Sequence, residues 1–318
     1  MRKKVSRVYK FLSCALQAIK NARIPYYSSK FSKKTYTQHQ LLALLCLKEY
    51  FNHVYRDIVD IILEMDRLVK LLELKKVPHF TTLHKFFKRF PSWRFDRILA
   101  HTIKMFDVLD ARVGIDASGY TGYVGVYYTK RLGKVITRSY FIKDSIVVDT
   151  DRQIILANKT RRSPSHDNRD FKSLIRKVKR NVDIILVTAD KAYDDESNHR
   201  LVRGMNAVSI IPVRSKSSKV KGFWRRRLKR EFDRKLYNER NKVETVFSVI
   251  KRKFSEVLRS RLINLKKKEI KLKNIVYNLY RRVKVDSSFL ICDFRLIFDK
   301  IATFCLEDFY KAKKSKFI

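Results

Sequence analysis

Three acidic residues have the type and placement to do chemistry: Asp116, Asp190 and Glu244. Asp116 and Asp190 each end, or immediately follow, a short apolar run, Arg112-Val-Gly-Ile-Asp-Ala117 and Asp183-Ile-Ile-Leu-Val-Thr-Ala-Asp190. Side chains at such strand ends emerge where open α/β sheets bind ligands. An Asp at a strand end can equally cap the helix after it. Glu244 lies in a run expected to be one long helix from about Leu236 to Arg259. At about 100° per residue, Tyr237, Arg240, Glu244 and Lys251 fall at roughly 0°, 300°, 340° and 320°, one narrow stripe. Val243, Val246, Phe247, Ile250 and Phe254 fill the adjoining face. A carboxylate flanked by two cations and a phenol suits a metal ion bridged to phosphate, though an amphipathic helix with ordinary Glu/Arg pairs shows the same spacing.

The elements that must hold these residues are set by pattern. Residues 1–108 read as helical, with apolar residues at three- and four-residue intervals in Gln40–Phe51 and Tyr55–Leu74. Thr81-Thr82 is expected to cap a basic helix from Leu83 to Phe90, stopped by Pro91. This region resembles a helix-turn-helix DNA-binding module, or else is a helical lid on the next domain. Beyond Ala111 the pattern turns to strands at 140–150 and 152–159, and Asp167 is expected to cap a helix to Arg180 with Asp170 in its first turn. Next come a strand buried on both faces at 183–190, a helix at 195–203, a strand at 207–211, a basic loop and the long helix. The fold class is mixed α/β, with helices on a central sheet. Residues 263–318 read as a basic helical tail.

The bulk composition selects a partner. Lys+Arg number 73 against 31 Asp+Glu, a formal net charge of +42, while 45% hydrophobic residues supply a core. Such an imbalance calls for a polyanion, and nucleic acid is favoured over a membrane because the longest candidate span, 58–74, is broken by charges. Cys14, Cys46, Cys292 and Cys305 lack metal-ligand spacing and read as small buried hydrophobes. No glycine-rich nucleotide loop is present. The segment Arg214–Lys235 carries eleven Lys/Arg, among them Arg225, Arg226 and Arg227, and reads as a DNA-backbone contact. Trp224 within it is either a stacking platform for an unpaired base or tucked against the core. Tyr193 is either a wall of the site or packed under the sheet edge, His166 a turn residue, and Lys266-Lys-Lys268 with Arg281-Arg282 a generic phosphate contact.

Tyr237, Arg240, Glu244 and Lys251 resemble, at every spacing, the Tyr-x2-Arg-x3-Glu-x6-Lys signature of the insertion-sequence DDE transposases. Ala189-Asp-Lys-Ala-Tyr-Asp194 is similar to that family's segment around the second aspartate. Val113-Gly-Ile-Asp-Ala-Ser-Gly119 is similar to its first-aspartate strand, and Ser165-His-Asp-Asn168 to the opening of the helix before the second. The resemblance covers about residues 111–254. It implies a ribonuclease H-like catalytic domain, here residues 109–262, preceded by the all-α region 1–108. It implies Asp116, Asp190 and Glu244 as catalytic ligands of two Mg²⁺ or Mn²⁺ ions, with Tyr237, Arg240 and Lys251 on the transposon-end phosphates. Cleavage at the ends and transfer of the freed 3′-hydroxyl to target DNA would then be two-metal phosphoryl transfer. The implied partners are double-stranded DNA, both terminal inverted repeats and target, and a second copy of the chain on DNA. The implied location is the nucleoid of a prokaryotic cytoplasm, with no membrane. Only 54 residues separate Asp190 from Glu244, too few for the large β-insertion some relatives use to protect hairpin intermediates. The rival expectations are a transposase-derived DNA-binding protein without activity and a ribonuclease H-like nuclease without strand transfer.

Overall fold

The computed structural model describes residues 5–122, 126–131, 133–214 and 220–285. Six helices come first: α1 (Arg7–Asn21), α2 (Gln38–Phe51), α3 (Tyr55–Leu63), α4 (Asp66–Leu71), α5 (Phe80–Arg89) and α6 (Ser92–Lys104). The strands are β1 (Asp110–Tyr120), β2 (Val126–Arg131), β3 (Lys134–Ser139), β4 (Ile142–Asp149), β5 (Ile154–Arg162), β6 (Asp183–Ala189) and β7 (Val208–Ile210). Interleaved with them or after them are α7 (Asn168–Lys179), α8 (Glu196–Arg203), α9 (Phe223–Arg230), α10 (Arg234–Asn238) and α11 (Asn241–Phe254). A further helix, α12, covers 263–285.

The main sheet has the order β5-β4-β1-β6-β7. β1 pairs antiparallel with β4 and parallel with β6, and β7 extends the parallel half. An antiparallel meander joined to two parallel strands by helical crossovers is the ribonuclease H-like arrangement, as expected. Residues on alternate sides of β1 meet different helices. Val113 and Ile115 join the core under α7 and α8. Tyr120, with Ile146 and Val148 of β4, joins a core shared with α11, α12 and the N-terminal helices. That second core runs without interruption from Phe11 and Leu45 through Val246 to Tyr277.

Local chemistry explains most boundaries and several departures. Thr37 caps α2 by accepting the Gln40 amide at 3.1 Å, while Gln40 Oε1 accepts the Thr37 amide at 2.8 Å, so the helix starts before Gln40. The 55–74 run breaks into α3 and α4 at Glu64–Met65. Thr81 and Thr82 lie inside α5, which begins at Phe80, rather than capping it. Asp167 makes no cap bond to α7, because its carboxylate pairs with Lys143. Asp170 is buried between Arg161 (2.6 Å) and Lys159 (3.2 Å). β6 is not sealed on both faces, since Ile185 is exposed near its start. The hairpin β2–β3, with Gly133 at φ 77° in its turn, was not anticipated from the strand pattern.

The expected phosphate-binding lysines near 266 have other work. Lys266 and Lys268 are buried. Lys268 donates to the carbonyls of Phe87 and Lys88 at the end of α5, and Lys273 to those of Phe254 and Ser255 at the end of α11. These cations satisfy helix C-terminal carbonyls and complement their dipoles. Arg281 likewise donates to the Arg152 carbonyl at 2.8 Å.

Candidate active site

Asp116 does not end its strand, for β1 continues to Tyr120 along β4. What ends there is the pairing with β6, whose last partners are Ile115 and Ala189. Asp116 and Asp190 are therefore the next residues on neighbouring parallel strands, and alternation turns both toward the α11 side. The close seating of α11 on β1 rests on Gly114, two residues before Asp116 on the same face. A Cβ at Gly114 would lie 2.4 Å from Val243 Cγ2, so only glycine lets the helix sit at this depth. Val243 is fully buried, and its neighbour Glu244 is thereby held beside Asp116 with its side chain 55% exposed.

The helix expected from Leu236 onward is broken at Glu239–Arg240 into α10 and α11. Glu239 is drawn across to the start of β1, where it pairs with Arg112 at 2.5 Å and accepts from Thr150 Oγ1 at 3.2 Å. Sequence reasoning passed over Glu239, although it sits between the two motif residues Tyr237 and Arg240. The break changes the single stripe. Tyr237 belongs to α10 and packs on Phe232, while Arg240 opens α11 with its guanidinium 5.8 Å from the Tyr237 ring. Lys251 lies at the far end of α11, its Nζ 3.8 Å from Glu256 and 5.7 Å from the Tyr120 ring.

Arg240 is the hub. One Nη donates to Asp116 Oδ2 at 2.8 Å and the other to Glu244 Oε1 at 2.6 Å. The remaining Asp116 oxygen accepts the Ala117 amide at 2.8 Å. Burial raises the Asp116 pKa above the usual carboxylate value, the Ala117 amide and Arg240 work against it, and the charges of Asp190 and Glu244 add to the rise. Burial works to lower the Arg240 pKa, yet the carboxylates around it leave it raised. Asp190 caps the 3-10 turn Lys191–Tyr193 by accepting the Lys191 amide at 2.7 Å. As arranged, no three His, Cys, Asp or Glu side chains among the described residues stand close enough to share one ion. The donor set itself, three carboxylates and no sulfur or imidazole, is the hard-oxygen kind that suits Mg²⁺ or Mn²⁺.

Two expected DNA contacts, Tyr193 and Arg225, are corrected by their packing and pairing. Tyr193 is wholly buried, its ring 5.8 Å from Phe171, so it packs under the sheet edge and no duplex reaches it. Its hydroxyl has no hydrogen-bond partner among the described residues. Arg225 forks onto the buried Asp194 at 2.8 and 2.7 Å, tying α9 to the segment after Asp190. Trp224 is half-buried, with the Arg203 guanidinium 4.7 Å from its ring. The basic stretch is helical at α9 rather than a loop, and Glu196 accepts the Trp224 and Arg225 amides at its start. Arg226 and Arg227 remain on the accessible side of α9, Arg227 paired with Glu231 at 2.8 Å. These cations and Phe223 line an open cavity of about 780 Å³ beside this helix.

Among the described residues no helix is long and apolar enough to cross a membrane. Residues 125–279 match the family described as the transposase DDE domain. The matched span contains Asp190 and Glu244 and begins after Asp116. No curated protein matches the chain.

Proposed function

From a chain that carries a transposase DDE domain, and so bears out the resemblance to the insertion-sequence DDE transposases, we propose an enzyme that cleaves DNA at transposon ends and joins the 3′-hydroxyl to target DNA. The observation carrying this reading is the convergence of Asp116, Asp190 and Glu244, from β1, β6 and α11, on one side of the sheet with Arg240 between two of them. In this reading residues 109–262 are the catalytic domain and 1–108 the DNA-binding region, while the first part of the expected tail, 263–285, is the core helix α12 and residues 286–318 lie outside the described residues. The family generally uses divalent metal ions; two Mg²⁺ or Mn²⁺ ions held by the three carboxylates would activate the attacking oxygen and stabilise the leaving one.

The chain's own residues supply the rest. Gly114 and Glu239 fix α11 so that Glu244 stays beside Asp116. Arg240 offers a planar fork matched to the non-bridging oxygens of a phosphate, with Tyr237 and Lys251 along the same backbone. Arg226 and Arg227 on α9 extend the positive track, and a second copy of the chain on DNA brings the other end. In this reading water and then the 3′-hydroxyl are the attacking groups.

The test is Mg²⁺-dependent cleavage of a labelled element end, then a strand-transfer assay. Wild type is expected to do both, and Asp116→Asn to bind the end normally and cut neither strand. Cleavage by Asp116→Asn near the wild-type level would refute the assignment. Cleavage without joining would leave a nuclease, and binding alone a DNA-binding protein.

A further inference from the structure

We infer that Arg240 is the resident cation of the carboxylate site, and that DNA must draw it away before a metal ion can enter. This rests on the reading of Asp116, Asp190 and Glu244 as the metal-holding residues. The guanidinium spans Asp116 Oδ2 and Glu244 Oε1, one oxygen from each of two carboxylates that would hold an ion. Asp116 Oδ1 is already engaged by the Ala117 amide. A fixed positive group and a divalent ion cannot occupy one pair of oxygens, because close like charges repel strongly where water is scarce. The Arg240 side chain is only 15% exposed, so water alone is a poor competitor for it.

A phosphate is a good competitor. It offers the planar fork the same two-point geometry as the carboxylates it would leave. The route is open on the correct side, since Glu244 is half exposed and Arg240 sits where the chain turns from α10 into α11. The Arg240 Nε, buried and without a hydrogen-bond partner among the described residues, has one to gain by moving. DNA binding and metal binding then assist each other, and linkage requires the factor to be the same in both directions. Arg240 is thus a positioning residue that holds Asp116 and Glu244 together before DNA arrives and delays metal loading until it does.

The experiment measures Mn²⁺ binding to the full chain from the electron paramagnetic resonance signal of the free ion, with and without a blunt DNA duplex. The Asp116→Asn complex with the same duplex gives the baseline for ions held by DNA itself. Wild type is expected to bind Mn²⁺ weakly alone and about tenfold more tightly with DNA. Arg240→Gln is expected to bind tightly without DNA and to gain less than about twofold from it. Arg240→Lys, which keeps the charge and loses the fork, falls between them, and it decides the matter should the Gln variant fail to fold by thermal melting. If neither variant binds Mn²⁺ more tightly than wild type in the absence of DNA, the exchange is wrong and Arg240 is a support. If Asp116→Asn binds Mn²⁺ as wild type does in every state, the carboxylate reading itself has failed.

Discussion

Asp116 and Asp144 face the same side of the sheet from adjacent antiparallel strands, Asp144 lying opposite Ser118 and Asp116 opposite Ile146. Burial pushes both pKa values upward, but their surroundings answer it differently. Asp144 is completely buried under α12, where it accepts from Asn158 Nδ2 at 3.1 Å and Asn274 Nδ2 at 2.7 Å. The two amides, and the charges of Lys271 and Lys177 that form no ion pair with it, do not offset burial, and its pKa is raised to about 7. Asp116 keeps 22% of its side chain exposed and is met by a full positive charge from Arg240. Sealing without an ion pair favours the protonated acid, whereas a guanidinium in direct contact favours the carboxylate.

The sharpest way to break this comparison is to neutralise each acid in turn. Asp116→Asn is expected to lower the rate of end cleavage by at least about a thousandfold, the scale for removing one electrostatic group from a reacting centre. Asp144→Asn should leave cleavage within about twofold, since it touches no reacting atom and each tenfold in rate needs about 1.4 kcal/mol of barrier. Equal losses from both would mean that Asp144 belongs to the site.

Stability separates the pair along the pH axis. The folded pKa of Asp144, about 7, lies above its ordinary 3.8, so between those values the native state binds more protons than the unfolded chain. Its contribution is therefore full below about pH 4 and is lost as pH rises to about 7, amounting to at most about 4 kcal/mol. Thermal melts of wild type and Asp144→Asn across this range isolate the effect as their difference. A difference that does not change with pH would show that Asp144 is ionised in the fold.

Asp194 tests whether sealing alone decides the outcome. Its side chain is as fully buried as that of Asp144, and burial raises its pKa, yet the neighbouring His199 ring, the Arg225 fork and the Arg214 amide together hold it below the usual carboxylate range. Arg225→Ala strands that charge and should cost about 3 kcal/mol in denaturant unfolding. Arg226→Ala, one residue along and free of Asp194, should leave unfolding unchanged and reduce the salt dependence of DNA binding by about one contact. If the two variants behaved alike, α9 would be held by generic packing rather than by Asp194.

These three carboxylates also mark how far the sequence could be read. The apolar runs ending at Asp116 and Asp190 and the Tyr237–Lys251 spacing were legible because strand and helix periods are local. The break at Glu239–Arg240 was not, since its cause lies in Arg112 and Thr150, remote in sequence. Tyr193 was open to two readings, and only the packing of Phe171 decides between them. Asp144 was invisible for the same reason, as its partners Asn158 and Asn274 come from β5 and α12. The lysines of α12 misled, because a lysine that caps a buried helix end looks like any surface lysine until the helices are assembled. The hairpin β2–β3 lacks the strong two-residue turn pair that announces such elements.

The smallest change should divide Asp116 from Asp144 most cleanly. Gly114→Ala adds one methyl group to β1 where Val243 already stands 2.4 Å away. Val243 is β-branched and fully buried, with one strongly preferred rotamer in a helix, so the expected relief is a shift of α11 away from β1. Overpacking of this kind costs about 1–3 kcal/mol in unfolding. The lift carries Glu244 and Arg240 away from Asp116, so cleavage should fall well beyond what the loss of stability explains. The hydrogen-bond partners of Asp144 come from β5 and α12, and the pH dependence of melting assigned to it should survive unchanged. Loss of both together would place the two acids in one cooperative unit, and the contrast between them would then belong to the whole sheet face.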